Sequence, residues 1–328
     1  MSAMSLQIGD QFDRYQIRAA MAQGGMGSIY RAVDITSGQE VAVKIPDPTM
    51  IGDPAQYERF QRELEVMKTL HHPAIQHGLA SGTFNRMPFL VTELVNGESM
   101  RTWVQQHAPV PADEAVAVIR KIADAIAYCH ENNVIHRDLK PENILITPEG
   151  EPVIIDFGLA LTKTAMRVTY SNLSSAAGTP EYMSPEQVEG QRGDQRTDLY
   201  ALGIMFYELL DGKPPFSGDT PLAIMAQHTQ APIPRLDKTR PTVSPQVAAI
   251  VARCLQRNPD DRYPDVRAFI EALDHPDAAD LSILEKGTGA ATVVPFWRSQ
   301  QAMMMGTVAL VILAVVVLAF ASQALRPH

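Results

Sequence analysis

The string His136-Arg137-Asp138-Leu139-Lys140-Pro141-Glu142-Asn143 gathers an acid, a base and an amide in one short stretch. An aspartate can orient a hydroxyl and accept its proton. A lysine two positions on can neutralise charge on a phosphate. An asparagine oxygen can ligate a hard cation such as Mg2+. Eighteen residues after Asp138, Asp156-Phe157-Gly158 follows the apolar run Val153-Ile154-Ile155 and sets a second carboxylate at a strand end. Upstream, Val41-Ala42-Val43-Lys44 ends an apolar strand in a lysine, and an ammonium turned inward there needs a negative partner. Earlier still comes Met21-Ala22-Gln23-Gly24-Gly25-Met26-Gly27-Ser28-Ile29. Its glycines let backbone N–H groups close over phosphates without a Cβ in the way. Alone, a Gly-rich turn or a strand-end carboxylate is ordinary turn chemistry. The eight-residue string around Asp138 is too particular for a solvated loop.

Strands and helices must hold these groups. Residues 28–33 and 40–45 alternate large and small side chains around Ile35-Thr36-Ser37-Gly38, which predicts strand, turn and strand. A helix is predicted over about 55–70, with Phe60, Leu64, Met67 and Leu70 on one face. Residues 89–94 read as another strand. From about Asn96 the pattern turns mainly helical. Val116, Ile119, Ile122, Ala123 and Ile126 recur at helical spacing over 112–130, behind Pro111. Residues 199–210 form a second apolar helix, stopped by Asp211-Gly212-Lys213-Pro214-Pro215. Residues 247–256 and 266–273 are further helices. From His275 to Arg298 the periodicity fades, predicting a flexible connector. No internal repeat is present.

Composition sets outer limits. The chain has 328 residues, 45% of them hydrophobic, enough for a large core or two lobes. Its formal charge of −9 argues against a nucleic-acid binder, which needs clustered Lys and Arg. The two cysteines, Cys129 and Cys254, make no disulfide framework and read as reduced, space-filling thiols. The first ten residues lack the basic and apolar pattern of a secretory signal.

On these motifs, residues 15–273 resemble the protein-kinase family, and within it the bacterial, eukaryotic-like (Hanks-type) membrane-bound serine/threonine kinases. The resemblance implies an α+β bilobal fold, with a small β-rich lobe over 11–95 and a larger helical lobe over 96–274. It implies that Met21, Ala22, Gln23, Gly24, Gly25, Met26, Gly27, Ser28 and Ile29 cover ATP. Glu93 to Val95 would be the hinge at the adenine, with Thr92 behind the purine. Lys44 would meet the phosphates and Glu63, which fits the family's register better than Glu65. Asp138 and Lys140 would serve transfer, and Asn143 and Asp156 would hold Mg2+, with Mn2+ as a substitute. Two positions depart from the family's pattern. Ala22 stands where glycine is expected, and Ser184-Pro185-Glu186 replaces Ala-Pro-Glu. Glu186 would pair with a buried Arg262, and Asp198 would brace the loop that carries Asp138.

Lys140 and Gly178-Thr179-Pro180-Glu181-Tyr182 resemble serine/threonine rather than tyrosine kinases, with Thr179 expected to touch Asp138 and Lys140. The expected activity is transfer of the γ-phosphoryl group of ATP to protein Ser/Thr hydroxyls in signal transduction. The Ser/Thr-rich stretch 159–177 matches the activation segment, so Thr169, Ser171, Ser174 and Ser175 are candidate self-phosphorylation sites that would bind Arg137.

Residues 303–321 contain no charge and are almost wholly apolar. As a helix that stretch spans about 28 Å, near the hydrocarbon thickness of a bilayer. It is expected to be a single transmembrane helix, after a linker over 275–302 and before a short tail over 322–328. The catalytic domain would then lie on the cytoplasmic side of the inner membrane, where ATP is. A homodimer phosphorylating in trans is compatible with this, although the span carries no Gly-x-x-x-Gly pattern. Three other readings compete. A nucleotide-binding pseudokinase scaffold is favoured only by Ala22. A small-molecule kinase would lack the Gly-Thr-Pro-Glu and Ser-Pro-Glu segments. A membrane adaptor would need more than this short tail.

Overall fold

Branched and aromatic residues alternating with small ones build the first sheet. Strands β1 (Gln11–Phe12), β2 (Tyr15–Gly24), β3 (Gly27–Asp34), β4 (Glu40–Ile45), β5 (Gly78–Phe84) and β6 (Met87–Glu93) pair antiparallel in the order β1-β2-β3-β4-β6-β5. The computed structural model describes residues 6–24, 27–47, 66–84, 87–157, 161–162 and 180–285. Gly25, Met26, Glu63, Gly158, Thr169, Ser171, Ser174, Ser175, Thr179 and the apolar stretch 303–321 lie outside the described residues.

The expected strand–turn–strand unit is β3 and β4, where Tyr30 faces Val43 and Ala32 faces Val41. In its turn Asp34 accepts a hydrogen bond from the Thr36 N–H at 2.9 Å, and Gly38 takes φ +75°. One face of the sheet buries Phe12, Tyr15, Ile17, Tyr30, Val41, Val43, Phe89 and Val91. Phe12 packs against Phe84 and Phe89, with ring centroids 4.7 and 5.2 Å away.

Beyond β6 the chain turns helical. β7 (Glu98–Ser99) leads into α1 (Met100–His107), and the Ser99 hydroxyl caps it by accepting from the Arg101 N–H at 3.2 Å. Helix α2 (Ala112–Glu131) buries Ile119, Ile122, Ala123 and Ile126, the face that its periodicity predicts. Four short strands follow. They are β8 (Val134–Ile135), β9 (Ile144–Ile146), β10 (Pro152–Ile154) and β11 (Leu161–Thr162), with β9 between β7 and β10 and β8 against β11. The remaining helices are α3 (Pro185–Val188), α4 (Arg196–Asp211), α5 (Pro221–Gln230), α6 (Leu236–Thr239), α7 (Pro245–Cys254), α8 (Val266–Asp274) and α9 (Ser282–Glu285).

Helix α4 is apolar almost all round, so it belongs inside the lobe, and nearly every one of its residues is buried. It stops at Gly212, whose φ of +89° is easy only for glycine. Gly203 lets α7 approach closely, since a Cβ there would stand 2.6 Å from the Cβ of Cys254. Cys129 and Cys254 are both buried free thiols, and burial pushes both thiols up.

The structure departs from the sequence reading in several places. The stretch expected to be a connector from His275 carries α9, which seats Leu284 in the core of the larger lobe. Helix α5 was not foreseen, since it buries only Ile224 and His228 and so carries a weak pattern. Strand β5 was not foreseen either, since Gly78, Ser81 and Gly82 dilute its alternation. Among the described residues no helix is long and apolar enough to cross a membrane.

Candidate active site

The Gly-rich stretch is the hairpin of β2 and β3, with Gly24 paired to Gly27. Gly27 has φ +125°, and a Cβ on it would sit 2.1 Å from the Ile45 carbonyl oxygen. No other residue fits there. Ala22 lies in β2 opposite Ile29, beside a register shift that follows Ala20. Met21, Ala22 and Gln23 are exposed, and Ser28 and Ile29 are half-buried. Next to this hairpin β4 delivers Lys44, paired with Ile29 on one side and Leu90 on the other.

The Lys44 side chain is largely covered, and its Nζ lies 3.8 Å from Asp156 Oδ2. The inward ammonium therefore has a negative partner, and that partner comes from the other lobe. Asp156 follows β10 directly. The Ile155 N–H donates to the Asn143 carbonyl at 3.0 Å, which ties this strand end to the loop carrying Asp138.

In that loop Lys140 Nζ donates to both carboxylate oxygens of Asp138, at 3.1 and 2.9 Å. Asn143 Nδ2 donates to the Asp138 carbonyl at 2.7 Å and to its Oδ2 at 3.3 Å. The amide nitrogen of Asn143 is thus committed, which leaves the amide oxygen as the end that can ligate a cation. Asn143 and Asp156 offer hard oxygen donors, the type Mg2+ prefers. Among the described residues no group of three or more His, Cys, Asp and Glu gathers to hold a metal. Two such donors suit a cation that keeps waters and substrate phosphates in its shell.

The backbone of this loop is held from behind. Asp198, on the buried α4, accepts from the N–H groups of His136 at 2.9 Å and Arg137 at 2.7 Å, as expected of a bracing aspartate. His130 Nε2 also lies 2.7 Å from Asp198. Burial pushes the Asp198 carboxyl up, but the His130 hydrogen bond leads a set of partners that holds it below the ordinary range. Arg137 occupies the left-handed region at φ +67°.

Glu186 and Arg262 meet as expected, with Arg262 Nη1 and Nη2 2.8 and 2.7 Å from the two carboxylate oxygens. Thr92 is buried on β6 opposite Ala42. At the end of the same strand the Glu93 carbonyl accepts from Gln76 Nε2 at 2.9 Å.

Several residues in this assembly were not foreseen. Gln187 Nε2 donates to the Arg137 carbonyl at 2.8 Å, linking the Ser-Pro-Glu segment to the loop. Arg101 reaches Glu142 at 2.8 Å, Glu208 at 2.7 Å and the Tyr182 hydroxyl at 2.5 Å. His130 belongs with them. Each is a polar side chain on an ordinary helix or turn, and its partner lies dozens of residues away.

A family model described as a protein kinase domain matches residues 15–276. The serine/threonine-protein kinase PknL of Mycobacterium tuberculosis is 38% identical over 256 residues, covering 78% of this chain and 64% of that protein. PknB of Mycolicibacterium smegmatis is 36% identical over 258 residues, covering 76% of this chain and 41% of that protein. The chain thus spans under two thirds of the length of these curated relatives. A crystal structure of the M. tuberculosis PknI kinase domain superposes with a TM-score of 0.66 at 27% identity, covering 83% of this chain and 99% of that one.

Proposed function

The chain belongs to the protein kinase domain family, and from that premise we propose that it transfers the γ-phosphoryl group of ATP to serine or threonine hydroxyls of proteins. One observation carries the reading. Lys44 from the small lobe lies 3.8 Å from Asp156 of the larger lobe. Asp156 in turn is tied to the Asn143 and Asp138 loop through the Ile155 hydrogen bond.

In this mechanism Asp138 orients the acceptor hydroxyl and takes its proton. The hydroxyl oxygen forms a bond to the γ-phosphorus as the bond to the β,γ-bridging oxygen breaks, and ADP leaves with that electron pair. Lys140 sits beside Asp138 and offsets negative charge on the transferred group. Lys44 would hold the α- and β-phosphates, and the Gly27 backbone would close over the nucleotide. Asn143 and Asp156 would hold Mg2+, which when bound offsets phosphate charge in the transition state. Glu63 would orient Lys44. By resemblance to the family, Arg137 would receive a phosphate on the segment that holds Thr169, Ser171, Ser174 and Ser175, with self-phosphorylation as a control.

The stretch 303–321 is read as a single transmembrane helix that keeps the catalytic domain on the cytoplasmic face of the membrane. Its length and lack of charge support this. A homodimer phosphorylating in trans fits such an anchor.

The test is radiolabel transfer from γ-labelled ATP to a generic protein acceptor. The unmodified chain should label it, and Asp138→Asn should be slower by about 10²- to 10⁴-fold. Equal labelling by both proteins would overturn the assignment.

A further inference from the structure

Residues 74–77 form a strap between the two lobes. The Ile154 N–H donates to the Ala74 carbonyl at 2.9 Å, and the Gln76 N–H donates to the Ile154 carbonyl at 2.8 Å. The strap therefore lies as a short parallel bridge on β10, the strand that runs into Asp156. Its other edge meets the end of β6. The Glu93 N–H donates to the His77 carbonyl at 3.0 Å, and the His77 N–H donates to Glu93 Oε1 at 3.0 Å. The Gln76 side chain completes the clasp, donating to the Glu93 carbonyl at 2.9 Å. Two consecutive residues thus satisfy the amide, the carbonyl and one carboxylate oxygen of Glu93.

Gln76 is the node of this arrangement. Its backbone holds β10, and its side chain holds Glu93. It is also buried, with 9% of its surface exposed, where a polar group without a partner is costly. From Glu93 the hydrogen bonds run through Gln76 to Ile154, and from the adjacent Ile155 to Asn143. We propose that Gln76 is a positioning residue for the nucleotide. It fixes the carbonyl at the base end of the cleft relative to the Asn143 and Asp156 pair at the phosphate end. The carbonyl of Glu93 has two lone pairs, so Gln76 orients it while leaving one for the base. This role rests on the phosphotransfer reading above.

The experiment uses the full chain with two variants of similar shape. Gln76→Met keeps the length and removes the donor. Gln76→Glu offers only acceptors at neutral pH and repels the carbonyl. ADP affinity is measured by calorimetry, and KM for ATP and for a peptide acceptor by initial rates. Both variants should weaken ADP binding and raise KM for ATP by about fivefold or more, with KM for the acceptor within about twofold of the unmodified chain. A merely structural role would lower melting temperature and kcat and leave the ADP affinity alone. Unchanged ADP affinity in Gln76→Met would overturn the proposal. An unmodified chain that binds ADP yet transfers nothing would sink the phosphotransfer reading and leave the Gln76 role to stand on binding. An unmodified chain that binds no ADP would sink both.

Discussion

Arg262 is buried with its guanidinium flat against Glu186, and the same carboxylate accepts from the Thr197 hydroxyl at 2.9 Å. Burial pushes the Glu186 carboxyl up, but the hydrogen bonds and charge of Arg262 outweigh that and hold it below the ordinary range. Removing one partner strands the other charge in a place without water. Arg262→Met should therefore lower stability by about 3–5 kcal/mol, read from urea unfolding. The pH dependence has a definite sign. A carboxyl whose folded pKa is depressed stabilises fully above its unfolded value of about 4.3, and that stability drains as pH falls through the folded pKa. Between pH 7 and pH 3 the unmodified chain should lose melting temperature more steeply than Glu186→Gln. Parallel curves would mean the pair does not titrate in this range. Glu186 was legible in the sequence through its Ser-Pro-Glu setting, and Arg262 through resemblance. Arg101, Gln76 and Gln187 were not, because a lone polar residue on a helix or turn reveals nothing of a partner that only the fold brings near.

At the level of elements, the hairpin of β2 and β3 shows what the sequence can and cannot say. Its glycines were visible, but which of them the backbone requires was not. The structure shows such a requirement at Gly27, where a positive φ coincides with the Ile45 carbonyl in the way of any Cβ. Gly27→Ala must therefore push β3 off the end of β4, next to Lys44. KM for ATP should rise on the order of tenfold, equivalent to ~1.4 kcal/mol. An unaltered KM would mean that the hairpin tip adapts freely. Long periodic elements such as α2 and α4 were legible because one helical face, or all of it, is apolar. Strand β5 and helix α5 were not, because each gives too few side chains to the core to leave a period. Strand pairing order was likewise unreadable, since register depends on partners far along the chain.

For the whole molecule, the two lobes followed from the change of pattern near Asn96. The last turn of the described larger lobe did not. Leu284 extends the larger lobe past the point where periodicity faded, because two apolar residues, Ile283 and Leu284, suffice to anchor a single turn. This gives a physical site for division. The full chain should sediment with membranes and need detergent for release, and a chain ended after Glu285 should stay in the supernatant with its labelling activity intact. A full chain that remains in the supernatant would remove the proposed anchor.

Arg137 holds a left-handed backbone, at φ +67°, immediately before Asp138. Such a setting costs an L residue roughly 1–2 kcal/mol, and here the grip of Asp198 on two successive N–H groups maintains it. Asp198 stands on a helix that cannot shift without unpacking the centre of its lobe. The backbone ahead of Asp138 is therefore pinned from a packed core. If the loop serves the proposed transfer, control of it would act through parts that approach the loop rather than through its backbone.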